Sequence, residues 1–471
     1  MRLNFYEMEI IRGRSLALIL LLLSCNLKGF AQERINSWDQ NEEVPEKVQW
    51  FIDARFGMFI HFGLYSIPAG VWEGEISGRN MYAEWIQKQG NWPYGLKDEE
   101  YQALASEFNP VNFNAEEWVL EAKNAGMKYM LITAKHHDGF ALWPSKVSDF
   151  NVVEATPFKR DILQELADAC RKHGLKLGFY YSHWQDWEHP GGAKPPDDEF
   201  KSIPPPEQVS QQKFEEYWQE KCLPQVQELM ENYQPAFMWF DTWGKPNHIT
   251  DKRLDELIAH VRKLDPNCLI NSRILMDHPG IARKVDFLSM NDNEFPTENI
   301  EQPWETSGTM NHSWGYHRLD YHWEPTEGLL KKLVGNVSRN GNFQLNIGPT
   351  ADGSFPIASI RRLREIGAWL FVNGEAIYAS NPNPFINVDW GYITWKDLGN
   401  GRRNVYLHVS DWPENRALTV PRVEYMPEKV YVLESGQELE FIPHGGLTIK
   451  LPHNPVDNKI TVLVMEMKED F

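Results

Sequence analysis

Short apolar runs that end abruptly in polar or aromatic residues recur along the chain. Residues 236–240, Ala-Phe-Met-Trp-Phe, run into Asp241. Residues 128–134 run into Lys135-His136-His137-Asp138, and 175–181 into Ser182-His183-Trp184. The runs 57–60, 268–270 and 343–346 are followed by His61, by Asn271-Ser272-Arg273 and by Ile347-Gly348-Pro349. Runs of this length, rich in β-branched and aromatic residues, predict buried strands. Segments with helical spacing lie between them. Residues 115–126 place Trp118, Val119, Ala122 and Ala125 on one face and end in Gly, a helix-stop signal. Residues 161–174 repeat the pattern behind a capping Asp161, and 252–264 and 329–339 do so without the Gly. Strands alternating with helices predict parallel βαβ units. Their number predicts an α/β chain with a (β/α)8-like barrel over residues 45–380, preceded by a polar stretch. Beyond residue 380 the pattern shortens to alternating segments such as 404–409 and 429–433, separated by turn residues. Residues 381–471 therefore predict a C-terminal antiparallel β-sandwich.

An Asp at the C-terminal tip of a parallel strand stands where α/β barrels keep their chemistry. Asp241 is thus a candidate catalytic carboxylate, with a helix N-cap or a salt bridge as the plainer reading. Composition narrows the ligand. A formal charge of −19 over 471 residues excludes a nucleic-acid partner, because phosphate binding needs basic groups. Nineteen Trp residues serve core packing, or stack on the apolar faces of sugar rings. Trp85, Trp143, Trp184, Trp187, Trp243 and Trp314 all fall near predicted loops.

The first 31 residues read as an export signal. Arg12 and Arg14 precede an apolar core at 16–23, too short to span a bilayer. Leu22-Leu23-Ser24-Cys25 is similar to a bacterial lipoprotein box, which makes Cys25 a lipidation candidate; cleavage after Ala31 is the alternative. Either route predicts an exported protein, periplasmic or anchored to the outer membrane through a lipid. Cys170, Cys222 and Cys268 lie in predicted core segments and read as buried thiols. No Cys/His spacing of metal type was found, and no cofactor is implied.

Five segments together carry a resemblance: residues 55–63 (RFGMFIHFG), 135–140 (KHHDGF), 239–241 (WFD), 313–316 (SWGY) and 345–349 (LNIGP). In this order, and at strand ends, they resemble the retaining α-L-fucosidases of glycoside hydrolase family 29, over roughly residues 50–380. The resemblance implies a fucosylated oligosaccharide or glycoconjugate as partner and two catalytic carboxylates, a nucleophile and an acid/base. It implies Asp241 as nucleophile and His61, His136 and His137 as ligands of the fucose hydroxyls. Glu84 and Trp85 match an early-loop pair, Tyr181 a residue after its strand, Arg273 a contact to the sugar or the nucleophile, and Trp314 an aromatic beside the fucose methyl. The acid/base sits on a loop of variable length, and the candidates are Asp292, Glu294, Glu298, Glu301 and Glu305. Glu294, following Asn293, is taken as the acid/base. A related glycosidase acting on a galactose-like sugar and a glycan-binding protein without an acid/base are the competing readings.

Overall fold

A computed structural model describes residues 44–468, apart from 77–81, 88–95, 195–208, 244–245, 400, 422, 424 and 444–445. The predicted export signal lies outside these residues, as does Cys25. Among the described residues no helix is long and apolar enough to cross a membrane.

Eight parallel strands form the sheet: β1 Phe56–Ile60, β2 Tyr129–Lys135, β3 Lys176–Tyr181, β4 Phe237–Phe240, β5 Leu269–Ile270, β6 Leu288–Ser289, β7 Trp304–Thr309 and β8 Gly341–Ile347. Their order is β5-β4-β3-β2-β1-β8-β7-β6, so sequence neighbours are spatial neighbours. A parallel bridge between Asn271 and Phe287 joins the two ends and curls the sheet into a barrel. The helices expected between strands are present. Asn114 caps Ala115–Asn124 by accepting from the amides of Glu116 and Glu117. Asp161 caps Ile162–His173, and Gly174, at φ 76°, ends it in the left-handed conformation that glycine adopts without strain.

Alternation along the strands sorts side chains into two layers. Phe59, Tyr129, Leu131, Tyr180, Phe237, Trp239, Leu269 and Phe287 pack together inside the barrel. Met58, Ile60, Met130, Ile132, Phe179, Tyr181, Met238 and Phe240 face the helices. The helix Glu46–Ala54 adds Val48, Phe51 and Ala54 to the interior cluster. Phe51 stacks on Phe287 with ring centroids 4.4 Å apart. Gly178 is required by this filling, since a Cβ there would lie 2.4 Å from the Phe237 ring on the next strand.

Strands β6 and β7 escaped the sequence pattern. The sequence of β7, Trp-Glu-Thr-Ser-Gly-Thr, reads as polar loop, yet all six residues are buried.

The C-terminal part is built as expected from antiparallel strands. Gly391–Gly399, Arg402–Val409, Thr461–Met467 and Lys429–Val432 form one sheet, and Ala417–Val420, Leu447–Lys450 and Phe441–Pro443 a second. Their inner faces share one apolar core containing Ile393, Val405, Leu418, Val430, Ile449 and Leu463. Trp369, on the long helix Ile357–Asn373, donates its indole N–H to Ile460 O at 2.9 Å and ties this unit to the barrel. Cys170, Cys222 and Cys268 are free and buried.

Candidate active site

Asp241 continues β4 on the interior face that Trp239 occupies, one step beyond the strand. Asn271 sets its backbone. The Asn271 side chain accepts from Phe240 N at 2.8 Å and donates to Phe240 O at 3.0 Å, prolonging the β4–β5 pairing past the two residues of β5. Thr242 then donates its hydroxyl to Arg273 O at 2.8 Å. These bonds hold Asp241 and Arg273 side by side. Arg273 Nε and Nη2 both reach Asp241 Oδ1, at 2.9 and 2.7 Å, and the Tyr180 hydroxyl donates to Oδ2 at 2.8 Å. Burial alone would raise the Asp241 pKa. The Arg273 charge and the hydrogen bonds from Tyr180 and Arg273 outweigh it and hold the carboxyl below its ordinary value. Asp241 is an ionised carboxylate with a free lone pair, the state a nucleophile needs.

Three imidazoles surround it. His61 Nδ1 lies 2.7 Å from Asn346 Oδ1, and the amide of Asn346 donates from Nδ2 to Trp314 O at 2.7 Å. The amide orientation makes His61 Nδ1 the donor and leaves Nε2 as acceptor. His137 Nδ1 lies 2.6 Å from Ser182 Oγ, whose own proton goes to Gln185 O at 2.7 Å. His137 Nδ1 therefore donates, and its Nε2, 3.6 Å from Asp241 Oδ2, is an acceptor. Burial keeps both rings neutral, pushing His61 down to about 3 and His137 to about 4. The His137–Asp241 contact is accordingly not an ion pair at neutral pH. His136 stacks on Tyr180 with centroids 5.3 Å apart, and its buried Nδ1 has no protein partner.

Aromatic walls complete the pocket. The Trp314 ring lies 5.2 Å from His61. Trp85 lies 5.2 Å from His137 and packs with Trp187 and Trp243. Glu84 accepts from Gly315 N at 2.9 Å, while its second oxygen is buried without a protein partner. Burial raises its pKa to about 7.

The opposite rim comes from the loop after β6. Arg273 Nη1 donates to Asp292 Oδ1 at 2.8 Å, so one guanidinium holds both Asp241 and Asp292. Asp292 stands at the mouth, its side chain 39% exposed. Its pKa is raised. Burial pushes it up, Arg273 pulls it down, and the charge of Asp241 pushes it up again. Solvent at the side chain weakens the effect of burial, and the charge of Asp241 sustains the rise.

Three expected placements change. Tyr181 is outside the pocket: it faces the helix layer and its hydroxyl donates to Gln225 at 2.9 Å. Tyr180, of the opposite parity, takes the place beside Asp241. The strand register shows why: Tyr180 pairs with Trp239, which shares the face of Asp241. Glu294 is exposed, and its carboxylate accepts from the backbone and side-chain nitrogens of Asn291 at 3.1 and 2.6 Å. The cause is Asn293, at φ 54°. Its amide and side chain are tied to Ser307 and Thr309 of β7, and the chain reverses there, sending Asp292 to Arg273 and Glu294 away. Glu298 and Glu301 are likewise exposed. Glu305 lies not in the loop but inside the barrel on β7, accepting from Trp239 Nε1 at 2.6 Å and Ser289 Oγ at 2.8 Å. Its second oxygen is buried without a protein partner, and burial raises its pKa to about 8.

An ionised carboxylate and a second one of raised pKa, gripped by one arginine at the C-terminal end of a barrel, with neutral imidazoles and aromatic walls, are the equipment of a glycoside hydrolase. The comparisons with known proteins narrow this class. The family model for alpha-L-fucosidase matches residues 22–375. Plasma alpha-L-fucosidase of Homo sapiens is 32% identical over 425 residues, 86% of this chain and 85% of that protein. The crystal structure of an alpha-L-fucosidase from Vibrio sp. strain EJY3 is 34% identical, covers 90% of this chain and 73% of that one, and has a TM-score of 0.78. An alpha-L-fucosidase from Bacteroides thetaiotaomicron, trapped as a covalent intermediate in complex with 2-fluoro-fucosyl fluoride, is 28% identical, covers 91% of this chain and 98% of that one, and has a TM-score of 0.78. This chain belongs to the α-L-fucosidase family.

Proposed function

We propose that this protein is a retaining exo-α-L-fucosidase that removes terminal α-L-fucosyl residues from oligosaccharides or glycoconjugates, with Asp241 as nucleophile and Asp292 as acid/base. The observation that carries the pairing is the Arg273 guanidinium, which holds both carboxylates at once. Asp241 attacks the anomeric carbon while Asp292 gives its proton to the departing oxygen. Formation of the fucosyl-enzyme removes the charge of Asp241. The pKa of Asp292 then falls, and the same carboxylate becomes the base that activates water. His61 and His137 offer acceptor nitrogens, and His136 a buried unpartnered one, to the sugar hydroxyls. Trp314 gives an apolar wall for the C-6 methyl group, and the Trp85–Trp187–Trp243 cluster forms the wall beside His137. Arg273 orients both acids.

The test compares Asp292→Ala with Glu294→Ala. Loss of the acid lowers turnover of a natural fucosylated oligosaccharide far more than that of an activated aryl fucoside, and azide restores turnover of the aryl substrate. If Glu294→Ala shows this pattern and Asp292→Ala does not, the assignment of Asp292 fails.

We further propose export on residues 1–31, with Cys25 as lipid attachment site. The charged, apolar and Leu-Leu-Ser-Cys segments support it. Mass spectrometry of the mature N-terminus decides it: an unmodified terminus at Gln32 shows cleavage after Ala31.

A further inference from the structure

The loop joining β7 to the helix Thr326–Val337 carries a second cluster of ligating side chains, which the proposed hydrolysis does not use. Its base is closed by Glu324 N donating to Met310 O at 2.7 Å. Within it Asp320 is buried, and its carboxylate is preset by the backbone. Oδ2 accepts from His312 N at 2.8 Å and Oδ1 from His322 N at 3.1 Å. The same two residues bring their imidazoles over Oδ1. His312 Nδ1 lies 3.4 Å and His322 Nδ1 3.3 Å from it, with the rings 4.7 Å apart. Both imidazole side chains are open to solvent, at 53% and 70%. One ligating atom from each of the three residues lies within 4.8 Å of the others.

These spacings are informative. Charge-assisted N–H···O bonds are about 2.7–2.9 Å long, so neither contact is a tight ion pair. Two ligands about 2.0–2.1 Å from a tetrahedral ion stand ~3.3 Å apart, the separation that Oδ1 keeps from each Nδ1. The third edge lies within 4.8 Å, and the exposed rings are free to turn towards a shared ion. The donor set, two imidazoles and one carboxylate, suits the borderline ions of the zinc class better than Mg2+ or Ca2+, which prefer oxygen.

We propose that His312, Asp320 and His322 form a three-ligand site for Zn2+ or a similar divalent transition-metal ion, with its remaining position open to solvent. The sequence hides it, because the ligands are eight and two residues apart and one of them is an aspartate. A bound ion would cross-link the loop that also carries Trp314 and Gly315. The first packs against His61 and the second donates to Glu84. The site stands on its own residues and does not depend on the hydrolytic assignment.

The test is calorimetric titration of the EDTA-treated full chain with zinc chloride. It is run for the wild type, His322→Ala and His312→Ala/His322→Ala, alongside hydrogen exchange of residues 310–324 with and without zinc. The expected result is one ion per wild-type chain, affinity at least ~10-fold weaker in the single variant, and no such binding in the double variant. Exchange in the loop slows with zinc in the wild type only. Both imidazoles are exposed, so the variants keep the fold, and circular dichroism checks this. No uptake by the wild type, or equal uptake by the double variant, overturns the site. Uptake that depends on the histidines but leaves loop exchange unchanged overturns the cross-link.

Discussion

The two sides of the pocket are built differently. On one side apolar strands, β2 to β4, lead into His136, His137 and Asp241. On the other, β5 and β6 have two residues each and β7 is a buried strand of polar sequence. The first side takes its order from the strand ladder. The second takes it from side chains. Asn271 stands in for missing strand residues, Asn293 turns the chain at positive φ, and Arg273 spans the gap between two acids. Backbone pairing places groups by period, whereas side-chain bonds place them one at a time. A substitution should therefore act locally on the strand side and spread on the loop side.

The largest effect is expected at Asp241, where the two sides meet. Asp241→Asn removes the attacking oxygen and should lower kcat by roughly four orders of magnitude or more, as loss of a covalent catalyst does. Steady-state turnover of an aryl fucoside measures it, with circular dichroism confirming an unchanged fold. Activity within tenfold of wild type would remove Asp241 from the mechanism.

Next is Asp292, on the loop side. Asp292→Ala should cost ~10²–10⁴ in kcat on a natural oligosaccharide, the usual range for general acid catalysis, and much less on an aryl substrate. It should also abolish the basic limb of the pH–rate profile. The sign follows from its role. The acid must carry its proton in the first step, so activity falls as pH rises through its raised pKa.

The third prediction separates neighbours of opposite parity. Tyr180→Phe removes a donor to a charged carboxylate and should lower kcat/KM by about ten- to a hundredfold, as a bond worth ~1.5–3 kcal/mol suggests. Tyr181→Phe leaves Gln225 Oε1 without that donor in the helix layer and should cost ~1 kcal/mol of stability with kcat/KM unchanged. Kinetics and urea unfolding of both variants read the difference. Equal kinetic losses would mean that the strand parity does not decide which tyrosine serves the site.

The same division explains what was legible in the sequence. Runs such as 128–134 and 236–240 are apolar on both faces, so their existence and ends are visible, and the histidines and Asp241 come with them. Tyr180 and Tyr181 differ only in parity, and a run apolar on both faces does not display parity. The strand β7 was hidden because its buried polar groups bond to polar groups of other strands, as Ser307 does to its neighbour Gln344 on β8 at 2.9 Å. Asp292 was among five acids in one stretch, and the feature selecting it is a single backbone angle at Asn293.

The smallest expected effect concerns Glu305, the acid of that stretch that the fold takes inside. It has no route to substrate in this reading, so its effect is on stability. Burial raises its pKa to about 8, against an ordinary 4.5. Between those values the folded protein holds a proton that the unfolded chain has released. Stability must therefore fall as pH rises from about 4.5 towards 8, by up to about 1.4 kcal/mol per pH unit from this one group. Glu305→Gln keeps an oxygen for Trp239 and Ser289 and cannot ionise. Its urea-unfolding free energy should decline less between pH 5 and pH 8 than that of the wild type, with turnover at pH 6 little changed. Glu84 shifts in the same direction, to about 7, so the wild-type slope should flatten without vanishing in the variant. Parallel stability curves for wild type and Glu305→Gln would show that Glu305 is ionised within the barrel, and the interior would then have to supply a countercharge.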